Sequence, residues 1–131
     1  MTRRALTKKT WPGVWTNSFC GHPGPGEEME QPVRRRAVQE LGAKITNIRR
    51  VLDQFRYRAV DAGRVVENEI CPVHMAYVDG PIDPELAEVA DWAWVPFQDL
   101  AHSVGRTPFA FSPWIVEQFP QLTAHSAFTT Q

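Results

Sequence analysis

Cysteine is scarce in this 131-residue chain: Cys20 and Cys71 are the only two, with no CxxC pair. A disulfide-stapled fold is therefore not expected, and both thiols are read as unpaired. Long apolar runs are also missing. No stretch approaches the roughly 20 apolar residues of a membrane-spanning helix, and the basic start MTRRALTKKTW is not followed by the apolar segment of a secretion signal. A cytoplasmic protein without a membrane partner is the expectation. Excess charge is missing too. A formal net charge of −1 gives no overall pull toward nucleic acid, so any attraction for an anion has to be local. There are no internal repeats, low-complexity tracts or obvious linkers, and 43% hydrophobic content at this length fits one globular domain over residues 1–122 with a polar, flexible tail over 123–131.

What is present alternates between strand and helix signals, which places the chain in the α/β class. Val14 to Cys20 reads as a short strand closed by the Gly/Pro cluster from Gly21 to Gly26. Acidic Glu27, Glu28 and Glu30 precede Pro32, and Val33, Ala37, Val38 and Leu41 recur at helical spacing until Gly42. That helix leaves Arg36 and Glu40 on one face. Ile45 to Leu52 and Phe55 to Val60 read as strands, and a turn at Asp61–Gly63 leads into a longer one from Val65 to Val78. Alternation along it sends Glu67, Glu69, Cys71 and Val73 to one side and His74 to the other. Trp92 to Val95 reads as a strand, Pro96 to His102 as a short helix, and Ser112-Pro113 opens a helix to Phe119.

Three groups of residues could carry chemistry, and each has a plainer explanation. Cys20 with His22 is a thiol and an imidazole two residues apart, yet a small buried thiol and a surface histidine are commoner than a reactive pair. Glu67 and Glu69 put two carboxylates on one face of a largely apolar strand. A half-exposed edge would account for them, but like charges so close call for a cation or a shared proton. Arg4, Lys8 and Arg36 are either solvated surface or a clamp for phosphate. Taken together, imidazole and carboxylates suit a divalent metal, basic groups suit a diphosphate, and a thiol suits proton transfer.

The stretches TRRALTKKTWPGVWTNSFCGHPGPGE, RRRAVQELGAKI, DQFRYRA, VVENEICPV, DWAWV and FAFSPWIVEQF, in that order, resemble the type I isopentenyl diphosphate isomerases of the Nudix superfamily. The resemblance implies an α+β Nudix fold, a mixed sheet sandwiched by helices. It also implies a reaction that shifts a double bond through a carbocation, with isopentenyl diphosphate as the small-molecule substrate. Cys20 and Glu69 would be the acid/base pair, Tyr57 would assist Glu69, and Trp114 would lie against the cationic carbon. His22, Glu67 and Glu69 would belong to a first divalent site, Zn2+ or Mn2+. Glu40 would hold Mg2+ bridging the diphosphate, and Arg4, Lys8 and Arg36 would hold the phosphates.

Two departures qualify this. The Nudix pattern is met by Gly21, Glu27, Arg35, Glu40 and Gly42, but Arg36 and Gln39 stand where hydrolases of the superfamily carry glutamates. Those carboxylates hold the metals that activate water, so their replacement argues for isomerase over diphosphate hydrolase. The resemblance also implies an upstream segment with the first strands and two further histidine ligands, whereas Met1 stands just before Arg3-Arg4-Ala5-Leu6. The expectation is a fold short of its first strands, three of five first-site ligands, and an exposed sheet edge that invites self-association. An inactive fragment and a hydrolase are the alternatives to the isomerase.

Overall fold

The computed structural model describes residues 1–20 and 30–129. Three short strands form one antiparallel sheet in the order β2-β1-β5: β1 (Thr2–Arg4) lies between β2 (Trp15–Thr16) and β5 (Val89–Trp92). Helix α1 (Glu30–Leu41) leads into a long antiparallel hairpin of β3 (Ile45–Val60) and β4 (Val66–Val78). After β5 come α2 (Phe97–Arg106), a 3-10 turn (Pro108–Ala110), α3 (Pro113–Ala124) and a short α4 (Ser126–Thr129). The α+β class expected from the sequence holds. Among the described residues no helix is long and apolar enough to cross a membrane.

Several elements depart from the expected bounds. The first strand shrinks from Val14–Cys20 to Trp15–Thr16, because the next residue turns its polar groups inward. Asn17 O accepts from Thr2 Oγ1 at 2.6 Å, and Asn17 Oδ1 accepts from Trp114 Nε1 at 3.3 Å. The two strands expected over 45–60 are one, with register shifts between Thr46 and Arg49, Arg50 and Leu52, and Leu52 and Phe55. Asn47 sits at φ 53°, a left-handed conformation that asparagine tolerates, and extra residues of this kind break alternation without ending pairing. The strand expected at Trp92–Val95 lies earlier, at Val89–Trp92, and Trp94 is largely exposed. Both later helices run further than expected, to Arg106 and Ala124. Within the stretch expected as a tail, Phe128 stacks on Phe97 with ring centroids 4.3 Å apart.

Three apolar clusters hold these elements together. Val51, Val104, Ile115, Phe119 and Leu122 join the hairpin to α2 and α3. Leu41, Ala43 and Val89 join the end of α1 to β5. Phe55, Tyr57 and Trp114 fill the space between hairpin and α3. Ser112 starts α3 as the sequence suggests, its hydroxyl accepting from Ile115 N at 3.4 Å and lying 2.7 Å from Thr16 Oγ1. The apolar stripe of α1 is rotated from the expected one. Ala37, Glu40 and Leu41 are buried, while Val38 is 62% exposed. A glutamate, not a valine, thus shares the inward face, because positions 37, 40 and 41 adjoin on a helix.

Gly42 ends α1 in the left-handed region at φ 57°. The nitrogen of Gly42 donates to Val38 O and that of Ala43 to Ala37 O, while Asp83 N and Glu85 N donate to Leu41 O and Glu40 O. A Cβ at Gly42 would stand 2.5 Å from Asp83 O. Gly42→Ala combines positive-φ strain with a backbone clash, and is expected to cost roughly 2 to 4 kcal/mol in urea unfolding. A loss below about 1 kcal/mol would mean that the 83–85 segment yields easily. That segment matters for function, since it carries the chain past Glu40 to Glu88.

Candidate active site

The hairpin presents two carboxylates to one phenol. Strand alternation on β4 puts Glu67 and Glu69 on the same side, and cross-strand pairing sets Tyr57 opposite Glu69. Tyr57 Oη lies 3.0 Å from Glu67 Oε2 and 3.4 Å from Glu69 Oε2, and Thr10 Oγ1 donates to Glu67 Oε1 at 3.3 Å. Burial and the two carboxylates push the Tyr57 hydroxyl far above its usual range, so it stays a neutral donor. One phenolic hydroxyl thus bridges the two carboxyl groups.

Tyr57 continues into an aromatic wall. Its ring stacks on Phe55 at 5.7 Å and lies 5.8 Å from Trp114, which meets Trp11 edge-on at 5.4 Å. The Arg4 guanidinium stands 5.4 Å from the Trp114 ring centroid, and its Nε and Nη2 donate to Thr10 O at 3.1 and 2.8 Å. Trp114 is 4% exposed and keyed by Asn17, so its plane is fixed before any ligand arrives. Cys20, Tyr57, Glu69 and Trp114 all line one cavity of about 920 Å³.

Cys20 is exposed and lines this cavity, and the protein atoms around it desolvate its thiol. Burial first, then the Glu40 carboxylate, push the thiol up to about 11, and Arg4 pulls weakly the other way. The thiol is thus protonated at neutral pH. Alkylation by iodoacetamide at pH 8 is expected to be roughly 10- to 100-fold slower at Cys20 than at a free cysteine, and to accelerate as pH rises toward 11. Peptide mapping reads out the site, and a rate equal to the free thiol's would show an ordinary cysteine.

Behind Cys20 lies a pocket of about 20 Å³, bordered by Arg4, Cys20, Glu40, Glu88 and Trp114 among others. It can hold one water-sized occupant. Glu40 Oε2 is buried without a hydrogen-bond partner among the described residues. The nearest cation, Arg36 Nη2, lies 3.4 Å away, close enough for an ion pair but poorly aligned for a hydrogen bond. Burial raises the Glu40 carboxyl above its usual range, against the pull of Arg36. An orphaned carboxylate oxygen at a single-occupant pocket has the donor chemistry of a hard-cation site.

The residues expected from the sequence thus fall into two neighbouring groups. Cys20, Tyr57, Glu69 and Trp114 line the cavity, with Glu67 joined to them through the Tyr57 hydroxyl, and Arg4, Arg36 and Glu40 lie beside Cys20. Arg36 also donates to Cys20 O at 3.3 Å and to Gln39 Oε1 at 3.1 Å. Lys8 is engaged by the Glu88 carboxylate. His22 lies outside the described residues, and among the described residues no three His, Cys, Asp or Glu side chains cluster as a metal site. Sequence reasoning missed Glu88, Asn17 and Thr10. Each acts through a partner distant in sequence or through the backbone, and no local spacing marks it.

The NUDIX domain model matches residues 1–115. The chain is 56% identical over 131 residues to the isopentenyl-diphosphate Delta-isomerase of Paenarthrobacter aurescens, covering all of this chain and 71% of that protein. It is 55% identical over 130 residues to the protein of the same name from Clavibacter michiganensis, covering 96% and 67%. In fold it is similar to Deinococcus radiodurans DR0079, with a TM-score of 0.70 and 18% identity over 92% of this chain and 71% of that one.

Proposed function

The chain belongs to the NUDIX family and, within it, to the isopentenyl-diphosphate Delta-isomerases, and we propose that it converts isopentenyl diphosphate to dimethylallyl diphosphate with Cys20 and Glu69 as its proton-transfer pair. The observation that carries this reading is the convergence of Cys20, Glu69, Tyr57 and Trp114 on one cavity.

An unactivated alkene takes a proton only from a well-placed acid, and the tertiary cation that results survives only away from water. Cys20 enters protonated and gives its Sγ proton to the terminal methylene, and the double-bond electrons form the new C–H bond. The positive charge sits on the branched carbon, facing the Trp114 ring, where an aromatic face contributes roughly 0.5 to 2 kcal/mol. Glu69, which accepts a hydrogen bond from the Tyr57 hydroxyl, takes a proton from the carbon nearer the diphosphate, and those C–H electrons become the new double bond. The thiolate and carboxylic acid left behind return to their starting states by proton exchange with water.

Arg4, Lys8 and Arg36 would hold the diphosphate by charge-assisted hydrogen bonds. Glu40 would hold Mg2+, which supplies charge neutralisation between carboxylate and diphosphate when bound. Its orphaned Oε2 fits that ion. Glu67, Glu69 and His22 would belong to a second divalent site, Zn2+ or Mn2+, which supplies neutralisation for the paired carboxylates. The two glutamates fit it. A diphosphate hydrolase is disfavoured because Arg36 and Gln39 bond to each other where metal-holding carboxylates would be needed.

The test is proton NMR of the chain with isopentenyl diphosphate, Mg2+ and trace Zn2+ or Mn2+ in D2O. Deuterated dimethylallyl diphosphate is expected. Release of inorganic phosphate or pyrophosphate without it would favour the hydrolase, and no turnover from folded protein the inactive fragment.

A further inference from the structure

Glu88 has no role in the chemistry above, yet it pairs with Lys8 and feels the charges of Arg36 and Arg4. Its carboxylate accepts a hydrogen bond from Lys8 Nζ and forms an ion pair with it, with both side chains about three-tenths exposed or less. That bond, followed by the charges of Lys8, Arg36 and Arg4, holds the Glu88 carboxyl below its usual range. Its main chain is equally tied. Glu88 O accepts from Ala5 N at 3.0 Å, and Lys8 N in turn donates to Ala5 O at 3.1 Å. Backbone and side chain of one residue therefore grip both ends of the Ala5–Lys8 turn. Glu88 also borders the small pocket with Arg4, Cys20 and Glu40.

We propose that Glu88 is a positioning residue for diphosphate binding, holding Lys8 at the site so that its ammonium is in place when the substrate arrives. A lysine on an unanchored turn loses the rotamer freedom of its long stem when it binds, whereas one already held has lost much of it beforehand. The anchor is partly exposed and hydrogen-bonded through one pair, so it can share Lys8 with a phosphate oxygen at small cost. Glu88 is thus distinct from Glu40, which carries an orphaned oxygen and no lysine.

This inference rests on the diphosphate reading of the site, and the experiment separates the two. Inorganic pyrophosphate with Mg2+ is titrated calorimetrically into wild type, Glu88→Gln, Lys8→Met and the double variant, and KM and kcat are measured with isopentenyl diphosphate. Glu88→Gln is expected to weaken pyrophosphate binding and raise KM roughly 3- to 10-fold, with kcat within about twofold. In the Lys8→Met background the same change is expected to have almost no effect, because the ammonium that Glu88 holds by hydrogen bond is gone. A lower KM in Glu88→Gln would overturn the proposal, making Glu88 a competitor for Lys8. So would a loss confined to kcat, an equal loss in the Lys8→Met background, or loss of the cooperative melt in Glu88→Gln, which would make it a stability residue. If wild type binds no pyrophosphate, the diphosphate reading falls and takes this one with it. If wild type binds and Glu88→Gln binds equally well, only the positioning role fails.

Discussion

Cys20→Ala is expected to lower kcat for isomerisation by on the order of 10³-fold or more while leaving pyrophosphate affinity within about twofold of wild type. The thiol is protonated at neutral pH, and alanine has no proton to give. The residues that would hold the diphosphate keep their anchors without it: Arg4 is fixed by Thr10 and Trp114, and Lys8 by Glu88. Arg36 bonds to Cys20 through its main-chain carbonyl, which alanine preserves. Deuterium uptake in D2O reads the chemistry and calorimetry reads the binding. A variant that loses both would show that Cys20 supports the fold of the site, and one that keeps its rate would remove the thiol from the reaction.

The role of Cys20 is what the family resemblance implies, whereas the grouping of the carboxylates was legible in the residues themselves, because it sits on an element whose local rule holds. Alternation along β4 put Glu67 and Glu69 together, and both lie against Tyr57 as that rule requires. Gly42 stops α1 where a left-handed residue is needed, and Ser112-Pro113 opens α3. The misses share a cause. Asn47 and the bulges after it broke the period of β3 without breaking its pairing, so one strand read as two. Val38 looked like core because the count of apolar positions ignores what faces the helix, and the face that packs inward carries positions 37, 40 and 41. Lys8 read as a bare phosphate ligand because its partner lies 80 residues away. Pairing across such a separation follows from β1 lying against β5, which sets Glu88 O on Ala5 N, a consequence of tertiary structure that no window along the chain contains.

Glu40 joins the two levels, because its burial is a cost to the fold that binding can repay. A carboxylate on the inward face of α1, with one oxygen lacking a donor, is less favourable ionised than a neutral group of the same shape, and the raised position of its pKa expresses that. A carboxyl raised above its unfolded value favours the fold while it is protonated, below the unfolded pKa. That contribution is lost as pH rises through the folded pKa, so at neutral pH the ionised group works against the metal-free chain. Glu40→Gln is therefore expected to raise the melting temperature of the metal-free protein, and to weaken Mg2+-dependent pyrophosphate binding about 10- to 100-fold by removing the charge that would hold the ion. Mg2+ should stabilise wild type against heat in the presence of pyrophosphate, and should no longer do so in the variant. Differential scanning calorimetry with and without the two ligands measures both effects. A lower melting temperature in Glu40→Gln would mean that the Arg36 ion pair outweighs the desolvation of Glu40. Retained Mg2+ dependence would place the ion elsewhere. Opposite signs in the two experiments are what a residue kept for binding at the expense of the empty fold must give.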